Sequence, residues 1–438
     1  MLNLKFLDKE NKKIKNEVLD WLNSLEFKRY SNLEFPPLIN PNSVDYFDID
    51  AELAWKLNLP LPQFYKFVYW GSHGAGNTGF GIFLNKYGCI NFYSTNDINS
   101  KNAYISLFNT IVNYKKQGKN GYLAIRNFIK DSDSKKFHSL IHSNKSVNLV
   151  RDPISTLKHY VGMRRFYNKK IRAFNIFDNL DYIFDNLVGY GYANNIYKDI
   201  DMGKSIIFWM NYRYKTFHDA QLIKELINVK NTIYIDMQEI IGDRAFDTMQ
   251  NLATFCRMEQ IDKTNNNKDF FKEQISKYEG ILPLVVKVNS VNVFITTKYW
   301  VYINNELSYE TKSRYTDIII PKDIVDITNL FINDMDDVIL ICIDRDDYDV
   351  FLKNKNNKII AYIKEVVLRI NRQLDTENNK KINENDILNF FSENKDLYVK
   401  FSDIIEKHIE HIKYHRMDIV ESWKYYNEFN KINFKAKK

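Results

Sequence analysis

A cluster of glycines, Gly71, Gly74, Gly76, Gly79 and Gly81, stands between an apolar run and a helix-periodic one, and it limits the fold more than any other stretch of this chain. Phe67-Val68-Tyr69-Trp70 is short, apolar and rich in β-prone residue types, so it reads as a buried strand that the glycines end. From Asn77 the period changes: Phe80, Phe83, Leu84 and Tyr87 fall at i, i+3, i+4 and i+7, one face of a helix. Glycines cost backbone entropy, and so dense a cluster needs a reason, such as close approach of the main chain to a ligand. Residues 67–87 therefore read as strand, phosphate-cradling loop and helix at the front of an α/β nucleotide-binding domain.

Two further junctions have the same shape. Val147-Asn148-Leu149-Val150 reads as a strand, after which Asp152 can cap a helix that Pro153 begins, with Ile154, Leu157 and Val161 on one face. Asn231-Thr232-Ile233-Tyr234-Ile235-Asp236 is a third strand, followed by Phe246, Met249, Leu252 and Phe255 at helical spacing. Strands alternating with helices predict an α/β fold with a mainly parallel, doubly wound sheet, and ligands at the carboxyl ends of its strands. The expected organisation is a lead-in over residues 1–64, a nucleotide-binding core over 65–280 and an appendage over 281–438. In the lead-in, Ile14, Val18, Leu19, Trp21, Leu22 and Leu25 mark an amphipathic helix within residues 9–30, and Asp50 to Leu57 a short one. The prolines of residues 36–41 and 59–62 predict extended chain over the domain surface. The appendage carries Val-, Ile- and Thr-rich strands over residues 284–298 and 338–343, then charged helices over 348–375 and 384–430, giving a mixed, largely helical carboxy-terminal region.

Composition sets the partners. Net charge is +7 over 438 residues, with Lys and Arg interspersed among Asp and Glu, which fits an anionic small molecule or loose attraction to an anionic membrane without calling for nucleic acid. No RNP-like or zinc-finger pattern is present. Cys89, Cys256 and Cys342 are isolated, without CxxC spacing, so neither disulfides nor a zinc site is indicated. Charges interrupt the amino-terminal apolar residues, and no run reaches the ~18 apolar residues of a membrane span. A cytoplasmic location is expected, with peripheral contact at the inner membrane.

The loop Gly71-Ser72-His73-Gly74-Ala75-Gly76-Asn77-Thr78-Gly79 supports three readings. As a nucleotide-hydrolysing phosphate loop it lacks the lysine, since Asn77 stands in its place. As a dinucleotide fingerprint, residues 74–79 match G-x-G-x-x-G, yet the following candidate strand, Ile90-Asn91-Phe92-Tyr93, does not end in the ribose-binding carboxylate; Asp97 lies beyond it. As a lysine-free loop, main-chain N–H groups and a helix N-terminus hold a nucleotide's phosphate. Arg151, at a strand end beside a helix start, can pair with a phosphate oxygen or with a neighbouring carboxylate. Arg164 and Arg165 either extend a basic lining or are solvated. His73 and His159 are the candidate bases, each with a plainer reading as a loop cap or a helix-surface residue. His408, His411 and His415 share a helix face without an accompanying carboxylate signature, so no metal is expected.

Taken together and in order, residues 67–78, Leu149-Val150-Arg151-Asp152-Pro153 and Ile233-Tyr234-Ile235-Asp236-Met237-Gln238-Glu239-Ile240 resemble the three landmarks of the sulfotransferase fold, over roughly residues 65–260. The resemblance implies that Gly71, Ser72, Gly74, Ala75, Gly76, Asn77 and Thr78 hold the 5′-phosphosulfate end of 3′-phosphoadenosine 5′-phosphosulfate or a related nucleotide donor, and Arg151 its 3′-phosphate. The family's loop Lys or Arg falls here on Gly74, and its serine eight residues after the arginine falls on His159. Over nearly the whole chain, residues 36–41, Ala51-Glu52-Leu53-Ala54-Trp55, Leu59-Pro60-Leu61-Pro62, residues 235–239 and residues 418–426 resemble an uncharacterised bacterial family often labelled as sugar transferases of surface-glycan loci. The expected function is a sulfotransferase-like transferase that moves an activated group from a nucleotide donor to a hydroxyl of a bacterial surface glycan. The alternatives are a glycosyltransferase using a sugar nucleotide and a non-catalytic protein that binds nucleotide or glycan.

Overall fold

The computed structural model describes residues 12–92, 99–125, 131–192, 195–212, 226–272, 277–298, 301, 318–332 and 338–432. They form two compact units whose segments interleave along the chain: the first draws on Met1–Arg151, Thr216–Lys272 and Asp403–Ser422, the second on Asp152–Lys215, Glu273–Ser402 and Trp423–Lys438.

The first unit is built on five strands, β1 (Val68–Gly71), β2 (Cys89–Asn91), β3 (Asn120–Ile125), β4 (Ser146–Val150) and β5 (Thr232–Asp236), all parallel and in the order β2-β3-β1-β4-β5. The chain is thus α/β with a parallel five-stranded sheet, as its alternating pattern predicts. Register places Trp70 opposite Ile125 on one side and Asn148 on the other, and Asn148 opposite Tyr234. Side chains alternate between faces, so Val68 and Trp70 share a face with Leu123 and Ile125, and pack with Tyr104, Leu107 and Phe108 of helix Ser100–Lys116. The opposite face receives helix Asn77–Lys86, where the Phe80 ring stacks on Tyr69 at 4.9 Å. Both faces are covered by helices, which is why β1 and β4 are buried along their whole length.

The proline-punctuated lead-in departs from its expected surface course. Leu38, Leu59 and Leu61 are buried in the core of the first unit. The Trp21 indole donates to the Pro37 carbonyl at 2.9 Å, the Asn58 amide to the Pro36 carbonyl at 2.9 Å, and the Leu61 N–H to Leu140 at 2.9 Å. Proline has no N–H to satisfy, so an extended proline-rich segment can be buried with few partners. The expected helices appear as Lys12–Leu22, with a 3₁₀ turn at Glu26–Arg29, and as Ala51–Lys56, capped by Asp50.

The second unit has a mixed sheet of Ile324–Asp326, Ile339–Asp344, Val291–Thr297, Leu284–Val288 and Ala173–Asn175, antiparallel except for its last pair. Helix Asn357–Asn379 buries Ile363, Val366 and Ile370 in the same core as Val286, Ile295 and Ile341. The carboxy-terminal region is largely helical, through Glu384–Glu393, Lys395–His415, Met417–Ser422 and Lys424–Phe429. A small antiparallel sheet, Arg164–Phe166, Val188–Tyr192 and Asn195–Tyr197, carries no clear signal in the sequence. Among the described residues, no helix is long and apolar enough to cross a membrane.

Candidate functional site

The loop after β1 is held from inside. A Cβ at Gly71 would lie 2.5 Å from Asn77 Oδ1 and 2.6 Å from the Tyr69 hydroxyl, so any larger residue there would displace that pair. Tyr69 donates its hydroxyl to Asn77 Oδ1, and Asn77 Nδ2 donates to the carbonyls of Gly71 at 3.2 Å and Ser72 at 2.9 Å. The side chain standing where a phosphate loop carries lysine is therefore committed to bracing the loop. What Asn77 can offer a ligand is its main-chain N–H.

Gly74 and Gly76 have φ of +80° and +95°, conformations that favour glycine. Gly76 is the N-cap of helix Asn77–Lys86 and, having no side chain, offers no cap to the first-turn N–H groups. A helix N-terminus in this state attracts anions through its N–H groups and dipole. The Ser72 hydroxyl oxygen is buried and has no hydrogen-bond partner among the described residues. A buried hydroxyl left unpaired costs about 1–3 kcal/mol, a cost that a ligand oxygen would remove. Ala75 is buried, its N–H donating to Ser72 at 3.2 Å.

β4 delivers the cation. Arg151 follows its last residue, and Nη1 donates to the Gly74 carbonyl at 2.7 Å. The guanidinium thus sits against the residue at which the loop has no charged side chain of its own. β5 closes the third side: a Cβ at Gly76 would lie 3.3 Å from Met237 Cγ, at the start of the 3₁₀ turn Met237–Ile240. That turn is fixed by a capping box, with the Gln238 N–H donating to Asp236 at 2.7 Å and the Asp236 N–H to Glu239 at 2.7 Å. All three strand-to-helix junctions of the sequence meet here, at the carboxyl ends of adjacent strands. From β1 the chain departs toward β2 at one edge of the sheet, and beyond β4 its next strand in this sheet is β5 at the other, so the crevice between β1 and β4 is the topological switch point where such sheets take ligands.

His73 lies within the loop and is half-buried. His159 belongs to the second unit, on helix Pro153–Val161, its ring 6.2 Å from that of Tyr160. Helix Pro153–Val161 is anchored by Asp152, whose Oδ1 accepts from Ile154 at 2.8 Å and Ser155 at 3.2 Å, and whose Oδ2 accepts from Tyr425 and Tyr426, each at 3.1 Å. Burial raises the Asp152 carboxyl above its usual range, opposed by those four N–H donors.

Arg164 and Arg165 neither extend a basic lining nor stand in solvent. The helix stops at Val161 and they lie on a strand, Arg164 donating to the Lys277 carbonyl at 2.7 Å and Arg165 pairing with Glu279 at 2.5 Å. His411 Nδ1 and the Tyr234 hydroxyl are 3.0 Å apart, and the His415 ring stacks on Tyr234 at 5.4 Å. These histidines dress the edge strand β5. Asp97 and Tyr93, weighed for a dinucleotide reading, lie outside the described residues. Tyr69 and Met237 were not singled out by the sequence. Tyr69 is two residues before Gly71 on the strand, and an inward tyrosine there was the available signal.

Residues 234–435 match a family described as "Protein of unknown function (DUF2972)". That segment begins within β5, so the glycine loop and Arg151 precede it. No curated protein and no solved structure matches the chain.

Proposed function

We propose that this protein is a sulfotransferase-like group transferase, holding the phosphate end of a nucleotide donor on the loop of residues 71–79 and passing its activated group to a hydroxyl of a bacterial surface glycan. The observation that carries the reading is the clasp of Arg151 on the Gly74 carbonyl at the switch point of a parallel sheet. The sulfotransferase loop has a cation at the position of Gly74; here the backbone at φ +80° favours glycine, and Arg151 brings a positive charge to the same spot. Donor recognition would then fall to the N–H groups of Gly74, Gly76, Asn77 and Thr78, the Ser72 hydroxyl and Arg151. A donor such as 3′-phosphoadenosine 5′-phosphosulfate would supply the activated group, while the chain's share is positioning and neutralising negative charge, effects that contribute more to such transfers than any single acid or base. His73, inside the loop, is the residue to take the acceptor's proton. His159, on a helix of the second unit, is the position at which the resemblance has a serine.

A thermal-shift panel tests the reading on the full chain. At a hundredfold excess over Kd a ligand adds about 2.7 kcal/mol of stability, a shift of a few degrees for a chain of this size. Adenosine 3′,5′-bisphosphate is expected to raise Tm in the wild type and not in Gly76→Val, in which the new side chain meets Met237. A shift with uridine or cytidine nucleotides alone would move the assignment to a glycosyltransferase. A shift with none would leave a binding protein without a nucleotide and end the transferase reading.

A further inference from the structure

At the other end of the same sheet the first unit contains a cavity of about 360 Å³. Its walls include Asn58, Pro60, Gln63 and Phe64, which lead into β1; Lys135, Ser139 and His142, which lead into β4; and Ile227 and Asn228, which precede β5. The strands are parallel, so these segments lie at the amino ends, a strand's length from the glycine loop and Arg151. The size falls within the range of small-molecule sites.

The lining is mainly apolar, with Leu33, Leu140, Ile227 and three prolines, and carries aromatic rings and carboxamides among them. Tyr30, Phe35, Tyr46 and Phe64 contribute rings. Asn42, Asn58, Gln63 and Asn228 contribute carboxamides. Asn58 and Asn228 spend their N–H groups on the carbonyls of Pro36 at 2.9 Å and Ser139 at 2.7 Å. The Asn42 and Gln63 carboxamides have no hydrogen-bond partner among the described residues. Burial pushes the Tyr46 phenol up to about 12, so it remains an O–H donor at neutral pH. The lining's two formal charges cancel, Lys135 pairing with Glu34 at 2.5 Å.

This chemistry discriminates among ligands. An acyl chain would desolvate the carboxamides without pairing them, at about ten-fold in affinity for each group. A phosphorylated ligand would need a spare cation, and Lys135 is already neutralised by Glu34. A ring with several hydroxyls meets both demands: hydroxyls donate to and accept from carboxamides, and the ring's C–H surface packs on aromatic faces. We propose that this cavity is a binding site for a neutral sugar, separate from the phosphate loop. Its chemistry is independent of what the loop holds.

Saturation-transfer NMR on the full chain, with the methyl glycosides of glucose, galactose and N-acetylglucosamine, tests it against glucose 6-phosphate and decanoate. At least one neutral glycoside is expected to give a signal that falls about five-fold or more in Gln63→Met and in Asn42→Leu and persists in Arg151→Ala. Both cavity positions are exposed, and an unchanged circular-dichroism spectrum establishes that the variants fold. Absence of any neutral-glycoside signal, equal signals in wild type and both cavity variants, or preferential binding of decanoate or glucose 6-phosphate would each overturn the proposal.

Discussion

Arg151 and Gly74 share one hydrogen bond and divide one job, the first bringing charge and the second the backbone shape that receives it. Gly74→Ala should therefore cost about 1–2 kcal/mol from the left-handed conformation alone, read by urea denaturation. Asn77→Leu removes three hydrogen bonds from a buried loop and is expected to cost about 2–4 kcal/mol, whereas Tyr69→Phe, which removes one, should cost about 1 kcal/mol. Equal losses for the two would show that the brace is not centred on Asn77. Lys136, on helix Ser134–Ser139, donates to the Trp55 carbonyl at 2.9 Å and lies over the Trp55 ring, and burial pushes its ammonium down to about 8. A lysine whose folded value lies below its unfolded value carries fewer protons when folded, so folding becomes more favourable as pH rises from about 8 toward the unfolded value near 10.5. Denaturation at about pH 7.5, below that window, and at about pH 10, well inside it, should show wild type gaining relative to Lys136→Met; a loss on raising pH would contradict the burial. None of these partnerships is visible in the sequence, because Asn77 and Tyr69 are eight residues apart and Arg151 and Gly74 are 77.

Strands and helices with strong periodicity were legible. β1, β4 and β5, helices Asn77–Lys86, Pro153–Val161 and Arg244–Cys256, and the long carboxy-terminal helices follow from apolar spacing, the Asp152 cap and Pro153. The three-residue strands Arg164–Phe166 and Ala173–Asn175 were not, since a strand that short has no period of its own and exists through its partners. The lead-in was misjudged for a related reason: Leu59-Pro60-Leu61-Pro62 reads as a surface connection until the core that accepts its leucines is known. β4 also carries a feature no spacing reveals. Asn148 is fully buried in the middle of β4, and among the described residues neither its Nδ2 nor its Oδ1 has a hydrogen-bond partner. Replacing such a group by an apolar one of similar size removes a desolvation cost, so Asn148→Val should raise stability by about 1–3 kcal/mol. A loss of that size in thermal or chemical denaturation would mean the amide is paired in solution.

Across the whole molecule, the parallel sheet needs chain from both sides of residue 151. β1 to β4 come before it, while β5 and helix Arg244–Cys256 come after residues 152–215 have contributed to the second unit. A fragment ending at residue 151 should accordingly show no cooperative unfolding transition, and a sharp one would show that β5 is dispensable. Interleaving of this kind has no local signature, because each segment keeps its own periodicity whichever unit receives it. The family match, confined to residues 234–435, does not reach the loop. In the proposed function, Arg151 and the loop's main chain hold a nucleotide phosphate. Calorimetric titration of the full chain with adenosine 3′,5′-bisphosphate tests it most directly: the account predicts one-site binding that weakens about ten-fold or more in a folded Arg151→Ala protein, as expected for loss of a charge-assisted contact. Binding of equal strength in Arg151→Ala, or no heat from the wild type, would contradict it.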